Sequence, residues 1–399
     1  MEEKRAMRVV PARVVLLQRR LAEPMNVDRL AAMSDRFLVN AVGAVVEIDA
    51  SQRDENFRAR ALAAWADALY EGDRPADAVA VVLADTEDAA ALSALSTEVT
   101  IKALAHRRHD PVWMLHAAGL ATDDGRVIVL SAASGTGKTT AARHLAQRYA
   151  YVSDETIGID DTGRVVPYRK PLSVIEREAA PKSQLALSSI GGAHTLPDEL
   201  HVAKVVVIDR SPDGPEQPEI EPLDIADALA LLGPQTSYLS DGPAPLQRIA
   251  ALLAATGGAA RLRYREVTSI DGIIDDLLAV APAPVPPVIA RTAPVVDASA
   301  ADAYCRAETV DELVLDSRVA VLRRTPSGGQ VHVLDGIGPT IWTAAAGGST
   351  LAQIVDAVVT AHGEPADGDP ASIVQTAVQV LVDDGLLLPP TQTETVRQT

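Results

Sequence analysis

Residues 127–140, VIVLSAASGTGKTT, constrain this chain more than any other stretch. Val127 to Leu130 read as a short buried strand. A glycine-containing turn follows, then Lys138-Thr139 and the helical run AARHLAQRY. Strand, turn, Lys-Thr and helix in that order suit a loop whose backbone N–H groups curl round an anion. In such a loop Lys138 reaches the β/γ-phosphates of ATP and the Thr139 hydroxyl ligates Mg²⁺. Ser134, Gly135, Thr136, Gly137 and Thr140 complete the expected nucleotide contacts. Ala132 stands where the G-x-x-x-x-G-K-[ST] pattern has its first glycine. The alternative is a chance Gly-Thr-Gly turn capping a helix. The strand before it and the helix after it favour the phosphate loop.

A chain of 399 residues is long enough for about two or three domains with their own cores. The net charge of −18 argues against nonspecific binding to nucleic acid or an anionic membrane. Cys305 is the single cysteine, which excludes an internal disulfide and a cysteine-rich metal site. Neither a signal-peptide pattern at the start nor a membrane-spanning apolar run is visible, so cytoplasm is the default compartment.

The first hundred residues read as an α+β lead-in, 1–108, without a catalytic cluster. Strands are expected within 37–48, bending at Gly43, and at 77–83. Helices are expected at 57–70 and at 86–106, the latter with Thr86 as N-cap. Residues 109–280 form the nucleotide-binding unit. It has an apolar stretch at 112–120, the loop, strands near 150–159, 202–209 and 262–267, and helices at 223–232, 245–255 and 271–280. Residues 178–199 read as a mobile loop. Dense prolines make 281–304 a stiff linker. The C-terminal unit, 305–390, should hold strands at 312–316, 320–324 and 330–334, with a turn at 327–329. Helices at 338–346, 351–361 and 370–384 should follow, with Thr350 and Asp369 as N-caps. Residues 391–399 read as a frayed tail.

Several side chains invite chemistry. His116 lies among apolar residues just upstream of the loop; a lone His there is by default a core histidine. Asp154-Glu155 sits at the mouth of a strand, where adjacent carboxylates point to opposite sides. Arg169 and Lys170 lie in a proline-bounded extended segment, where cations can meet phosphate. Asp209 ends an apolar strand, as Mg²⁺-holding acids of phosphate-loop enzymes do, and competes with Asp154 for that role.

Residues 111–280 resemble the kinase core of the HPr kinase/phosphorylase family, related in fold to phosphoenolpyruvate carboxykinase. The resemblance rests on His116, on Ser134-Gly135-x-Gly137-Lys138-Thr139, and on Ser153-Asp154-Glu155. It implies an α/β phosphate-loop kinase in which Asp154 is the base on an acceptor hydroxyl. Glu155, where the family usually has Asp, helps hold the metal, and His116 sits beside the phosphates. The family's protein-substrate signature is absent downstream. The PYRKPLS segment instead looks like the shorter members found in peptide-modifying gene clusters.

Residues 308–388 resemble PqqD, the leader-recognition module of ribosomal peptide natural-product pathways. The matching residues are 331–336 (VHVLDG), Ile341-Trp342, Thr350-Leu351 with Ile354-Val355, and 382–387 (VDDGLL). The resemblance implies a winged-helix fold binding a precursor's leader peptide as an added strand. Val331 and Val333 of the edge strand and Ile373, Ala377, Val380 and Leu381 of the last helix are expected to line the groove. A DNA-binding role fits poorly, since the last helix carries acids and no Lys or Arg.

Together these readings predict a kinase-like enzyme that phosphorylates Ser or Thr of a precursor peptide. The rival is a nucleotide-binding scaffold presenting precursors to other peptide-modifying enzymes. A third option is a small-molecule kinase. The sequence leaves homo-oligomer formation open.

Overall fold

The computed structural model describes residues 35–174, 181–190, 194–280, 302–326 and 328–390. The proline-rich linker, except 302–304, and the tail lie outside them, as does Ser327 of the expected turn. The chain is a mixed α/β protein with several sheets.

The first unit pairs β1 (Arg36–Ala41) and β2 (Ala44–Asp49) antiparallel, with β3 (Ala78–Val81) parallel to β2. Helix α1 (Glu55–Ala64) is shorter than its periodicity suggests and passes into a 3₁₀ turn at Ala66–Ala68. Helix α2 (Asp88–His106) is capped by Glu87, not Thr86: the Glu87 carboxylate accepts from the N–H groups of Ala89 and Ala90, each at 3.1 Å. Phe57, Trp65, Leu95 and Val99 close this unit's core.

The central unit is built on a six-stranded sheet. Its members are β5 (Ala117–Ala121), β6 (Arg126–Ser131), β7 (Ala150–Ser153), β12 (His201–Arg210), β13 (Glu219–Leu223) and β14 (Ala259–Tyr264). Their order across the sheet is β13-β14-β12-β6-β5-β7. β6, β12 and β14 are parallel, and β5, β7 and β13 run against their neighbours. A smaller sheet of β4 (Val112–Leu115), β8 (Ile157–Asp160) and β9 (Val165–Val166) stands beside it. The segment read as a mobile loop contains β11 (Ser183–Leu185), paired with β10 (Leu172–Val174). β13 is a further strand that its polar, proline-containing sequence hides.

Helices α3 (Lys138–Leu145) and α6 (Asp271–Ala279) cover one face of the large sheet over Leu130, Val206, Ile208 and Leu262. Helices α4 (Ile225–Leu232) and α5 (Pro245–Ala255) cover the other over Val129, Val205 and Val207.

The C-terminal unit is an antiparallel meander, β16 (Asp311–Leu315), β17 (Arg318–Thr325) and β18 (Gly328–Leu334), in the order β16-β17-β18. Helices α7 (Gly338–Ala344), α8 (Leu351–His362) and α9 (Pro370–Asp383) follow. Thr350 makes a capping box with Gln353, and Asp369 accepts from the Ser372 N–H. A short pair, β15 (Cys305–Arg306) and β19 (Leu387–Leu388), ties the unit's ends together.

This unit is docked, not merely tethered. Leu313, Ala320 and Leu322 are buried in the same core as α4 and α5. Asp311 accepts from the N–H groups of Leu246 (2.7 Å) and Gln247 (3.2 Å), capping α5, whose own N-cap residue Ala244 has no side chain to do so. Arg318 pairs with Asp224 and Asp227, and Arg324 with Asp241.

Candidate active site and peptide groove

β6 delivers the chain into the loop at Ser131, between β12 and β5. Gly135 (φ +84°) and Gly137 (φ +108°) take left-handed conformations that a side chain would strain, and Gly137 is the N-cap of α3. Ala132 is buried in the core beneath α3 and is not among the residues at positive φ, so the missing first glycine introduces no backbone conflict.

Lys138 reaches back along the loop. Its Nζ donates to the carbonyls of Ala132 (2.6 Å) and Ala133 (3.3 Å), which accounts for two of three N–H donors. Burial lowers its pKa, against the pull of Glu155 and Asp154. The loop therefore holds a buried ammonium within the field of two carboxylates. Ser134 and Thr140 are exposed, and Thr136 and Thr139 half-buried.

The two acids occupy a tight turn between β7 and β8. The Ser153 hydroxyl shapes it, accepting from the N–H groups of Glu155 (3.1 Å) and Thr156 (3.3 Å). The Asp154 side chain is only 2% exposed; its Oδ1 accepts from the Tyr151 hydroxyl at 2.7 Å and lies 3.4 Å from Lys170 Nζ. Burial, with Asp154 next, pushes the Tyr151 phenol far above its usual range, so it stays a donor. Glu155 is 35% exposed and opens toward solvent.

His116 sits between β4 and β5. Its Nδ1 is 2.7 Å from the Glu155 carbonyl and 3.5 Å from Glu155 Oε1. A carbonyl only accepts, so Nδ1 carries the proton, and in the neutral ring Nε2 is left as an acceptor. Burial and then Lys138 hold its pKa below the ordinary value, outweighing Glu155 and Asp154.

Lys170 differs from its expected role. Its ammonium is buried and donates to the Pro171 carbonyl (3.1 Å) and the Ser173 hydroxyl (3.0 Å), while facing Asp154. With its donors committed there, it holds the acid in place and does not reach for phosphate. The residues before it explain the segment. Tyr168 is buried in the first unit's core, its hydroxyl 2.9 Å from that of Thr100, and Arg169 pairs with Asp67 at 3.3 Å. The segment thus pins the first unit to the acid turn.

Asp209, next to last in β12, is exposed, and the carboxylates whose charge Lys138 feels are Glu155 and Asp154. Its neighbour Arg210, which the sequence reading passed over, lies against the loop instead. A Cβ built on Gly137 would be 3.4 Å from Arg210 Cδ. The available signal was its place at the end of the strand paired with β6.

The expected groove is redrawn on one side. β18 is, like β16, an outer strand, and no further strand pairs with it among the described residues. Val331 and Val333 do not line the groove. They face the central unit's core, where a Cβ at Gly233 would come within 2.6 Å of Val331. The alternate residues, Gln330 and His332, face the other way; His332 Nδ1 is 3.8 Å from Asp384 Oδ2 at the end of α9. On α9, Ile373 and Val380 are exposed and Ala377 half-buried, one stripe at helical spacing. Leu381 belongs instead to the unit's own core with Val374 and Val378.

No family model matches the chain, and no curated protein is matched. Among solved structures, the HPr(Ser) kinase/phosphatase from Coxiella burnetii is similar at 13% identity, over 28% of this chain and 77% of that one, with a TM-score of 0.21. At that TM-score the likeness carries no argument. Among the described residues no helix is long and apolar enough to cross a membrane.

Proposed function

We propose that this chain is an ATP-dependent phosphotransferase acting on a Ser or Thr hydroxyl of a ribosomally made peptide, held through its C-terminal unit. One observation carries the reading: Lys138, His116, Asp154 and Glu155 converge at the end of β6, each in electrostatic reach of the others. Phosphoryl transfer needs positioning and charge stabilisation more than covalent chemistry, and these groups supply both.

The loop amides and Lys138 bind the β/γ-phosphates. The Asp154 carboxylate accepts the acceptor hydroxyl's proton as the new O–P bond forms and the bond to ADP breaks. Tyr151 and Lys170 orient that carboxylate through Oδ1, leaving Oδ2 for the proton. His116 steadies the turn through the Glu155 carbonyl.

The donors also fit Mg²⁺. Among the described residues no group of three His, Cys, Asp or Glu side chains forms a metal cage. A hydroxyl, Thr139, and one carboxylate, Glu155, are what Mg²⁺ takes from a protein when phosphates and water complete its shell. It would neutralise charge on the phosphates.

The peptide reading rests on two features: the edge of β18 that no further strand pairs with among the described residues, and the apolar stripe Ile373, Ala377 and Val380 on α9, whose C-terminal end meets β18 where Asp384 faces His332. Main-chain bonds from an added strand would supply affinity, and the stripe would select side chains. The winged-helix, PqqD-like description belongs to this proposal. Because one face of the sheet is buried against α4 and α5, the binding unit is the full chain and not the C-terminal unit alone.

The test is transfer of labelled phosphate from ATP to peptides encoded beside the gene. Label on a Ser or Thr hydroxyl supports the reading; nucleotide binding without transfer to any such peptide overturns it. The burial of Asp154 favours the rival, a nucleotide-dependent presenter of peptides to other modifying enzymes. That rival predicts leader affinity that changes with ATP and no label.

A further inference from the structure

Arg210 ends β12, one strand over from the phosphate loop. Along β12 the side chains alternate: Val205 and Val207 face α4 and α5, whereas Val206 and Ile208 face α3 and α6. Arg210 continues the second set and so stands on the side where α3 begins. Its chain lies against Gly137, with Cδ 3.4 Å and Nη1 3.7 Å from the position a Cβ there would take.

Two features separate this arginine from an ordinary surface cation. Its Nε donates to the Arg265 carbonyl at 3.1 Å, which fixes the guanidinium at the loop's rim and leaves its other donors unspent. The chain has 54 acidic against 36 basic residues, so carboxylates are plentiful. Yet no carboxylate among the described residues lies within ion-pair distance of Arg210, whereas Arg265 nearby pairs with Glu216. An oriented, unpaired guanidinium beside backbone amides suits phosphate oxygens, which it can bind through two parallel N–H bonds.

We propose that Arg210 binds the outermost phosphate of the nucleotide from the β12 side of the loop. The inference rests on the phosphate-loop reading above. Lys138 reaches inward along the loop to Ala132 and Ala133, while Arg210 lies outside Gly137. The two cations therefore approach from different sides. As the phosphoryl group departs, charge builds on the leaving oxygen while the group's own charge stays spread over its three peripheral oxygens, and a fixed guanidinium at the rim stabilises that arrangement.

The test compares full-length wild type with Arg210→Ala, Arg210→Lys and Lys138→Ala. Mg–ATP, Mg–ADP and AMP affinities are measured by calorimetry, and melting temperature without nucleotide. Loss of charge-assisted hydrogen bonds to phosphate predicts ATP affinity about ten- to a hundred-fold weaker in Arg210→Ala. AMP affinity stays unchanged, and Arg210→Lys recovers only part. A purely structural role would lower the melting temperature and leave the ATP-to-AMP affinity ratio where it was, which overturns the proposal. If Lys138→Ala loses ATP while Arg210→Ala keeps it, the phosphate loop stands and Arg210 has no part in it. If wild type binds no ATP, both fall together.

Discussion

The acid turn beside the loop and the surface proposed for peptide, the β18 edge and the outer stripe of α9, treat their side chains in opposite ways. At the turn the buried charges are held by partners: Tyr151 and Lys170 on Asp154 Oδ1, Ser153 on the turn's amides, the Ala132 and Ala133 carbonyls on Lys138. On the proposed peptide surface two apolar side chains of α9 are exposed, Val380 to 53%, and β18 pairs with a strand on one side only among the described residues. A site that holds charge must be prebuilt, because an unpaired buried charge is costly. A site that gains by covering apolar surface must be left open until its ligand arrives. Substitutions should therefore act in opposite ways, on chemistry or stability at the first and on peptide affinity alone at the second.

The largest effect is expected at Asp154. Asp154→Asn keeps the shape and the Tyr151 bond while removing the charge proposed to take the proton, so turnover should fall by about 10²–10⁴-fold with ATP affinity retained. Glu155→Gln should instead raise the Mg²⁺ concentration needed for half-maximal rate. Single-turnover phosphate transfer against Mg²⁺ separates them. If the two variants exchange behaviours, Glu155 is the base and Asp154 a buried structural acid.

How much of this was legible in the sequence follows from the kind of signal each element emits. The loop between β6 and α3 is local: glycines, Lys138 and Thr139 are set by spacing along one turn, so strand, loop and helix start could be read directly. The C-terminal strands and helices were legible from periodicity and caps. The partnership of Lys170 with Asp154 was not, because it depends on a segment carrying Tyr168 into another unit's core. The facing of Val331 and Val333 was hidden for a related reason. Alternation shows that two faces differ, but both faces of this sheet are covered, and only docking on α4 and α5 says which residues go where. Arg210 was missed because strand order, not sequence distance, puts β12 next to β6.

The docking itself supplies the second-largest effect. Removing the Asp311 carboxylate leaves the N–H groups of Leu246 and Gln247 at a buried helix start without an acceptor. Asp311→Ala should cost about 2 kcal/mol, within the range for a lost cap with buried donors. Urea unfolding of the full chain measures it. A change under about 0.5 kcal/mol would mean that the C-terminal unit is tethered after all, and the isolated segment should then be tested as a binder.

Val380→Asp sharpens the comparison from the other side. The position is exposed, so stability should move by no more than about 0.5 kcal/mol, as at ordinary surface sites. Leader-peptide affinity, read by fluorescence anisotropy with the full-length protein, should fall about tenfold, the scale of one buried apolar side chain. Equal affinity in a folded variant removes the groove from the proposal.

The smallest effect concerns pH. His332 projects from β18 with its Nε2 buried and unpartnered among the described residues. Burial holds its pKa below 6.5; Asp384 pulls it upward and Arg323 pushes it further down. The unfolded chain therefore takes up this proton first as pH falls. Between the ordinary value and the lower folded value the unfolded state binds more protons, so stability rises with pH across that window and is lost on acidification below about 6.5. His116, also held neutral by burial, adds a slope of the same sign but adds it equally to wild type and to His332→Asn, so it cancels in the difference. Urea unfolding of both proteins from pH 8 to pH 5.5 should show wild type losing more stability than the variant, by less than about 1 kcal/mol for a partly solvated group. A peptide strand laid on β18 would bury His332 further and depress its pKa again. Leader affinity should then fall with pH more steeply than stability does, and only in wild type. Parallel pH dependences in the two proteins would place the bound peptide away from the β18 edge.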